Sequence, residues 1–377
     1  MNRVTAIGLA SLVAYGLLIA TKVSGPATGP SDRNAAASAS RSGDKSLNDA
    51  PNAAQTSAGP RFASMPVPIA AVVRTSSTRA ATSAAQEFRN ARDLKAYVDA
   101  LLARRTQLTA DERFHLAKAL ESCLFANSVS EDLASYGAKQ RRQFLSGIPQ
   151  SDPNAAARIA AYDSGDDVSR CLRFQGVKIS PREIDEMYLS SAQMGDARAQ
   201  AKIIASDITK QLQSHARDEN APPPKLSSED VAHIVSILET RDPEASLTIG
   251  SLLAQAPLNQ QIRIGPNGEI PETSAFIGAW NLVACDLGLE CTAQHREMQQ
   301  ACAFAGYCGA GHFEEHYQTF MASPYVYQLA QRYRAMILSA MDSHDWAQVG
   351  LSPKTFPNAV ATREPGRGTP RASGDSI

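Results

Sequence analysis

The chain has 377 residues and a formal net charge of −1, with 20% charged and 6% aromatic residues. So even a balance leaves no basic stripe of the kind that nucleic-acid binding needs, and the length allows about two average domains. Neither G-x-x-x-x-G-K-[ST] nor G-x-G-x-x-G occurs, which removes the usual phosphate cradles.

The first element is apolar. After Arg3 an uncharged run extends from Val4 to Ala20, at the short end of a bilayer span, and Thr21 to Val23 can lengthen it. It reads as a transmembrane anchor, residues 1–23. The rival reading is a cleaved signal sequence, whose apolar core is shorter and is followed by small residues. Here the only cleavage candidate, Gly25-Pro26-Ala27, carries a proline. Both readings place the body of the chain outside the cytoplasm. The first gives a single-pass bacterial inner-membrane protein with a periplasmic body. The second gives a soluble periplasmic or secreted one.

Residues 24–82 are rich in Ala, Ser, Pro, Gly and Asn, and bury too little apolar surface to offset their ordering entropy. They read as a disordered tether, and 352–377 as a disordered tail. The remainder divides into a helical-hairpin region, 83–256, and a cysteine-containing helical region, 257–351. Helix starts recur between them. Thr109 with Glu112 spells a capping box, and Ser180-Pro181-Arg182-Glu183 spells another with proline at the first helical position. Asp152-Pro153 and Asp242-Pro243 are Asp caps followed by proline. The one strand-like stretch, Ile262 to Ile270, fits a short hairpin or an ordered loop equally well.

Three segments align on Asp152, Asp196 and Asp242. Each has Ala three residues later (Ala155, Ala199, Ala245) and Ile seven later (Ile159, Ile203, Ile249). Each has an apolar residue seven earlier: Leu145, Leu189 and Val235. A period near 45 with two helices per copy is the pattern of stacked helical hairpins. The Asp would cap the second helix, the Ala would let it approach the first, and the Ile would fill the seam. The middle copy, with Ser191, Ala192, Gly195, Asp196 and Ala199, resembles the hinge of a Sel-one-like, tetratricopeptide-like helical repeat. About 15 residues match closely and about 120 loosely, and the other two copies lack the glycine. The resemblance implies an α-solenoid used for protein contacts, with no catalysis of its own.

The six cysteines are Cys123, Cys171, Cys285, Cys291, Cys302 and Cys308. An even number beyond an export segment points to disulfides. Cys123 and Cys171 lie on apolar helical faces and suit one pair. The other four fall as C-x5-C twice, too widely spaced for the tight turns of a structural zinc site. Three pairings of these four are open, and bridges from helix to helix are the reading preferred over local loops.

His312-Phe-Glu-Glu-His316 fits H-x-x-E-H, in which two histidines at i and i+4 share a helix face. His312, Glu315 and His316 are therefore the candidate metal residues of a zinc-dependent hydrolase. Against that, a third ligand must come from elsewhere, and a solvated helix face explains the same five residues. No G-x-S-x-G elbow is present. Trp280, Trp346 and the stripe Tyr325, Leu329, Tyr333, Met336 and Ile337 read as core.

The sequence thus describes an all-α chain: stacked helical hairpins, solenoid-like, with a disulfide-braced C-terminal part, preceded by an anchor and a tether. The expected function is that of a membrane-anchored periplasmic scaffold or protein-binding module. It would contact another envelope protein, meet the membrane through its N-terminal helix only, and need no cofactor and no nucleic acid. The zinc-dependent hydrolase is the alternative, and an envelope factor with no specific partner is the third reading.

Overall fold

A computed structural model of the chain describes residues 83–165, 167–215 and 225–352. The expected anchor, the tether and the tail from 353 onward lie outside the described residues. Within them the backbone is all helix and loop, with isolated bridges only at Ile264–Glu269 and Thr292–His312. No helix among the described residues is long and apolar enough to cross a membrane.

The chain begins with α1 (Ser83–Asn90), α2 (Leu94–Leu102), α3 (Ala110–Ser122), α4 (Leu133–Ser146), α5 (Ala155–Ser164) and α6 (Asp167–Cys171). Next come α7 (Pro181–Gln193), α8 (Ala197–His215), α9 (Ser228–Glu239), α10 (Pro243–Leu253) and a short α11 (Ala256–Asn259). The last helices are α12 (Thr273–Asp286), α13 (Arg296–Gln300), α14 (Phe313–His316) and α15 (Pro324–Ser343).

Local chemistry starts these helices where the caps fall. Glu112 N–H donates to the Thr109 hydroxyl at 3.2 Å, and Thr109 N–H donates back to the Glu112 carboxylate at 2.8 Å. Ser180 accepts from Glu183 N–H and Pro181 opens α7. Asp242 accepts from the N–H groups of Glu244 and Ala245 at the head of α10. A further reciprocal box, Ser227 with Asp230, opens α9. Ile262 to Ile270 forms a tight loop closed by paired Ile264–Glu269 backbone bonds of 2.8 and 3.1 Å.

The buried side chains form two clusters that meet near residue 200. The first gathers Leu94, Val98, Leu116, Phe174 and Ile184 around the packing of α3 on α7. The second gathers Ile234, Ile249, Trp280, Tyr333 and Ile337, with α12 packed between α10 and α15. Helix α8 serves both, since Ala199 belongs to the first and Ala201, Ile204 and Ile208 to the second. Ion pairs cross the boundary: Lys118 to Glu244 and, at 2.6 Å, Arg198 to Asp111. At the centre of the second cluster Gly250 lies against the Trp280 ring, so closely that a Cβ there would overlap it.

The three aligned segments have different fates. At Asp196 and Asp242 the cap and the small residue act as expected, and α7 packs on α8, α9 on α10, and α8 on α10. In the Asp196 copy, however, Leu189 is 48% exposed and Ile203 only partly buried, so its seam is not filled by the expected pair. Ala199, Ala245 and Ile249 are fully buried in these contacts. The first copy departs from it. Asp152 sits three residues before α5 and pairs with Arg158, and α5 packs on residues 301–305 and on α13. Helix α4 packs chiefly on α6 and meets α5 through the Phe144–Tyr162 stack and the Arg141–Asp163 pair. The spacing recurs there because Ala and Asp are common in this chain, while the partner surface is supplied from far away.

All six cysteines are paired. Cys123–Cys171 joins the ends of α3 and α6 across 48 residues, as expected. The other two corrections are of topology. Cys285 pairs with Cys291 and Cys302 with Cys308, each six residues apart, so both are local loops and neither bridges two helices. Both closures follow from chain reversal: each helix ends within a few residues of its first cysteine, and the turn returns the second to it. Tyr325 is a further correction. It is 69% exposed on the first turn of α15, and only Tyr333 and Ile337 of that stripe are fully buried.

Candidate functional site

The segment from Cys285 to Met321 builds a cleft. Helix α13 runs directly into a wider π turn, Ala301–Ala305, and ends at Gly306, whose φ of 75° places it in the left-handed region. Only glycine takes that conformation at little cost, and it lets Tyr307 N–H reach back to the Ala301 carbonyl at 3.2 Å. The Cys302–Cys308 bridge then ties the loop to the helix it has just left. Helix α14 likewise continues into a π turn, Tyr317–Met321. Such turns are uncommon, and they occur disproportionately at functional sites.

Helix α5 faces this pair of turns. Arg158 donates to the carbonyls of Ala303 at 2.8 Å and Phe304 at 3.3 Å, and Asn154 donates to that of Gly306 at 3.1 Å. These carbonyls end a helix, where a cation is favoured by the dipole as well as by the bonds. Between α5 and the Cys302–Cys308 loop lies a hollow of about 270 Å³. Alanines make much of its wall: Ala157, Ala160 and Ala161 from α5, with Ala293 and Ala310 opposite. No Asp, Glu, Lys or Arg lines it.

His316 is among its lining residues. The side chain is 1% exposed, and neither ring nitrogen has a hydrogen-bond partner. Its ring sits among Phe313 and Phe320, with centroids 6.4 and 5.4 Å away, and Phe320 stacks on Tyr307. Burial lowers the His316 pKa, so the ring is neutral at pH 7. The Nδ1 of His295 is buried without a partner as well. Burial, with the nearby His316 ring adding to it, brings His295 down to about 4. Two residues on, in the first turn of α13, Glu297 has one carboxylate oxygen buried and unpaired, and burial pushes its pKa up to about 7.

The H-x-x-E-H residues are separated by their local roles. His312 is extended, exposed, and caps α14 by accepting from Glu314 N–H at 3.3 Å. Glu315 is exposed and accepts from Gly311 N–H at 2.9 Å. His316 alone turns inward, so the two histidines do not present one helix face. Among the described residues no three His, Cys, Asp or Glu side chains are placed to hold a metal ion together. The expected uniform solvated face is corrected too, since His316 is in the interior.

Beside the cleft the surface is aromatic. Phe304 is 64% exposed and meets Phe144 and Tyr162 edge-on at 5.7 and 6.0 Å, while those two rings stack on each other at 4.1 Å. A second hollow, about 120 Å³, lies where α3, α7, α8 and α10 meet. Its charges are matched internally: Lys118 with Glu244, Lys202 with Glu121, and Arg198 with Asp196 and Asp111. Burial raises Glu244, but Lys118 and Arg198 outweigh it and hold the carboxyl below its ordinary value.

Sequence reasoning missed His295, Glu297 and the alanine face of α5. The i, i+3, i+4 spacing of Ala157, Ala160 and Ala161 was legible. What it faces was not, because that wall comes from more than a hundred residues away. No family model matches the chain, and comparison with curated proteins and with solved structures finds none similar to it.

Proposed function

We propose that the chain is an exported, membrane-anchored recognition module whose helical body contacts another envelope protein. Three disulfides in the body support an oxidising compartment. The apolar run Val4 to Ala20 supports the anchor. Two side-by-side hairpins, α7 with α8 and α9 with α10, support the solenoid-like, Sel-one-like reading of the middle of the chain. The observation that carries recognition is the exposed Phe304 with Phe144 and Tyr162 beside it. Exposed rings are costly to leave in water and are enriched where proteins meet.

A photo-crosslinking residue placed at Phe304 in the living source cell tests this, with Arg182 as an exposed control elsewhere. The expected result is a discrete crosslinked partner from position 304 and none from 182, reduced by Phe144→Ala with Tyr162→Ala. Equal or absent crosslinking at the two positions removes the reading. Alkaline extraction of the same membranes tests the anchor, which predicts retention in the pellet at the intact mass.

A further inference from the structure

We propose that the Cys302–Cys308 bridge is a reversible exchange site for a dithiol reductant, and that opening it loosens the turn that carries Phe304. The exchange does not depend on the protein partner proposed above.

The three bridges are unequal in their surroundings. Cys123 and Cys171 are fully buried and belong to the first cluster. Cys291 is buried in the second, Cys285 packs against that cluster, and the Cys291 carbonyl accepts from Phe313 N–H at 2.8 Å. Cys302 and Cys308 belong to neither cluster, neither residue is buried, and both line the hollow beside α5. Exchange depends on access to a sulfur, and this is the pair outside the core.

Opening the three bonds also has unequal consequences. The Cys302–Cys308 loop is short, so its closure contributes least to the body, and the bond can open while the rest stays folded. What it holds is the segment from Ala303 to Tyr307, with Phe304 on its exposed side. Once it opens, Gly306 and Gly309, both left-handed, flank a Cys308 that no covalent link fixes. The bonds from Arg158 and Asn154 then hold the turn from one side only.

The exchange moves two electrons. A reductant thiolate attacks one sulfur of the bridge, and the other cysteine leaves as a thiolate and takes up a proton. Arg158, bonded to the Ala303 and Phe304 carbonyls, brings a cation to this turn and favours a departing thiolate. The second reductant thiolate then attacks the mixed disulfide. The reductant departs as its own disulfide and both cysteines are left as thiols. The class of reductant follows from the loop. The cysteines are six positions apart, so one released by a single thiol stays beside the mixed disulfide and expels that thiol again. A dithiol has the same intramolecular advantage and completes the transfer.

The test incubates the purified full-length chain at neutral pH with graded dithiothreitol, or with glutathione at equal thiol concentration. Samples are quenched in acid, alkylated and mapped by peptide mass spectrometry. Cys302 and Cys308 should be alkylated together at a dithiothreitol concentration at least tenfold below that which opens either other pair. Glutathione should open the pair far less. In Cys308→Ser, oxidised glutathione should leave one stable adduct on Cys302, whereas in the reduced unmodified chain it should restore the bridge. With this bridge alone open, amide exchange over residues 301–310 should rise at least tenfold while α12 and α15 keep their protection. Opening of Cys123–Cys171 or Cys285–Cys291 at the same or lower concentration overturns the proposal. So does opening of Cys302–Cys308 only as the chain unfolds, equal opening by the two reductants, or unchanged amide exchange over 301–310.

Discussion

Glu297 shows how a single side chain sets a pH dependence. Its folded pKa of about 7 is above the ordinary 4.5, because burial penalises the charged form and no cation offsets it. The neutral acid is therefore the stabilising form. Stability is full below pH 4.5 and is lost as pH rises through 7. His295 works the other way. Its pKa of about 4 is below the ordinary 6.5, so its contribution is full above pH 6.5 and is lost as pH falls toward 4. Of the two, only Glu297 still titrates between pH 6.5 and 8. Glu297→Gln should remove that decline and leave the variant more stable at pH 8 by roughly 3 kcal/mol, from about 1.4 kcal/mol for each of about 2.5 pKa units. Urea unfolding at pH 6.5 and 8 measures it, and a parallel decline in both proteins refutes it. Gly250 makes a second residue-scale case. Gly250→Ala drives a methyl into Trp280, which should cost about 1–3 kcal/mol by overpacking and lower the urea midpoint accordingly.

Among the elements, α5 is anchored through its surface, by Tyr162 stacked on Phe144 and Asp163 paired with Arg141 as well as by its polar bonds. None of its residues is fully buried, and it is held to the π turn by Arg158 and Asn154. Arg158→Ala deletes the bonds to Ala303 and Phe304 and leaves Asp152 without its cation. Bonds to a charged group are worth about 1.5–3 kcal/mol each. Amide exchange over residues 155–164 should therefore rise at least tenfold, while α12 and α15 keep their protection. Uniform acceleration along the chain would mean that α5 is integral to the core. Capping is a smaller and more local matter. Thr109→Ala should cost about 1 kcal/mol, read from thermal or urea unfolding, because Glu112 N–H loses its acceptor at the head of α3.

For the molecule as a whole the disulfides are unequal. In the chain-entropy picture a closed loop of about 49 residues contributes roughly 4 kcal/mol, and a loop of about seven roughly 2.4. Replacing Cys123 and Cys171 together by serine should thus destabilise the body more than replacing Cys302 and Cys308. The second change should act on the cleft instead, since that bridge shapes one of its walls. Unfolding curves of the two double variants, compared with amide exchange over residues 301–310, separate the effects. A larger stability loss from the local loop would contradict the assignment of roles.

What the sequence determined by itself is what neighbours in the chain can arrange. The capping box at Thr109, the one-way Ser180 cap, the proline starts and the helical class follow from groups three or four residues apart. So does an even set of cysteines beyond an apolar run. The packing of α7 on α8 and of α9 on α10 was legible for the same reason, since Asp196 and Asp242 each cap a helix that folds back on the one before it. Tertiary structure decided the rest. It showed that His316 turns inward while His312 stays in solvent, a difference made by the walls around a four-residue helix and invisible in H-x-x-E-H. It gave the α5 alanines a partner at residues 301–310 rather than on α4. It closed Cys285 and Cys302 locally, because where a chain reverses after a helix depends on what that helix packs against. The cleft exists only where segments more than a hundred residues apart meet, and no local spacing encodes such a meeting.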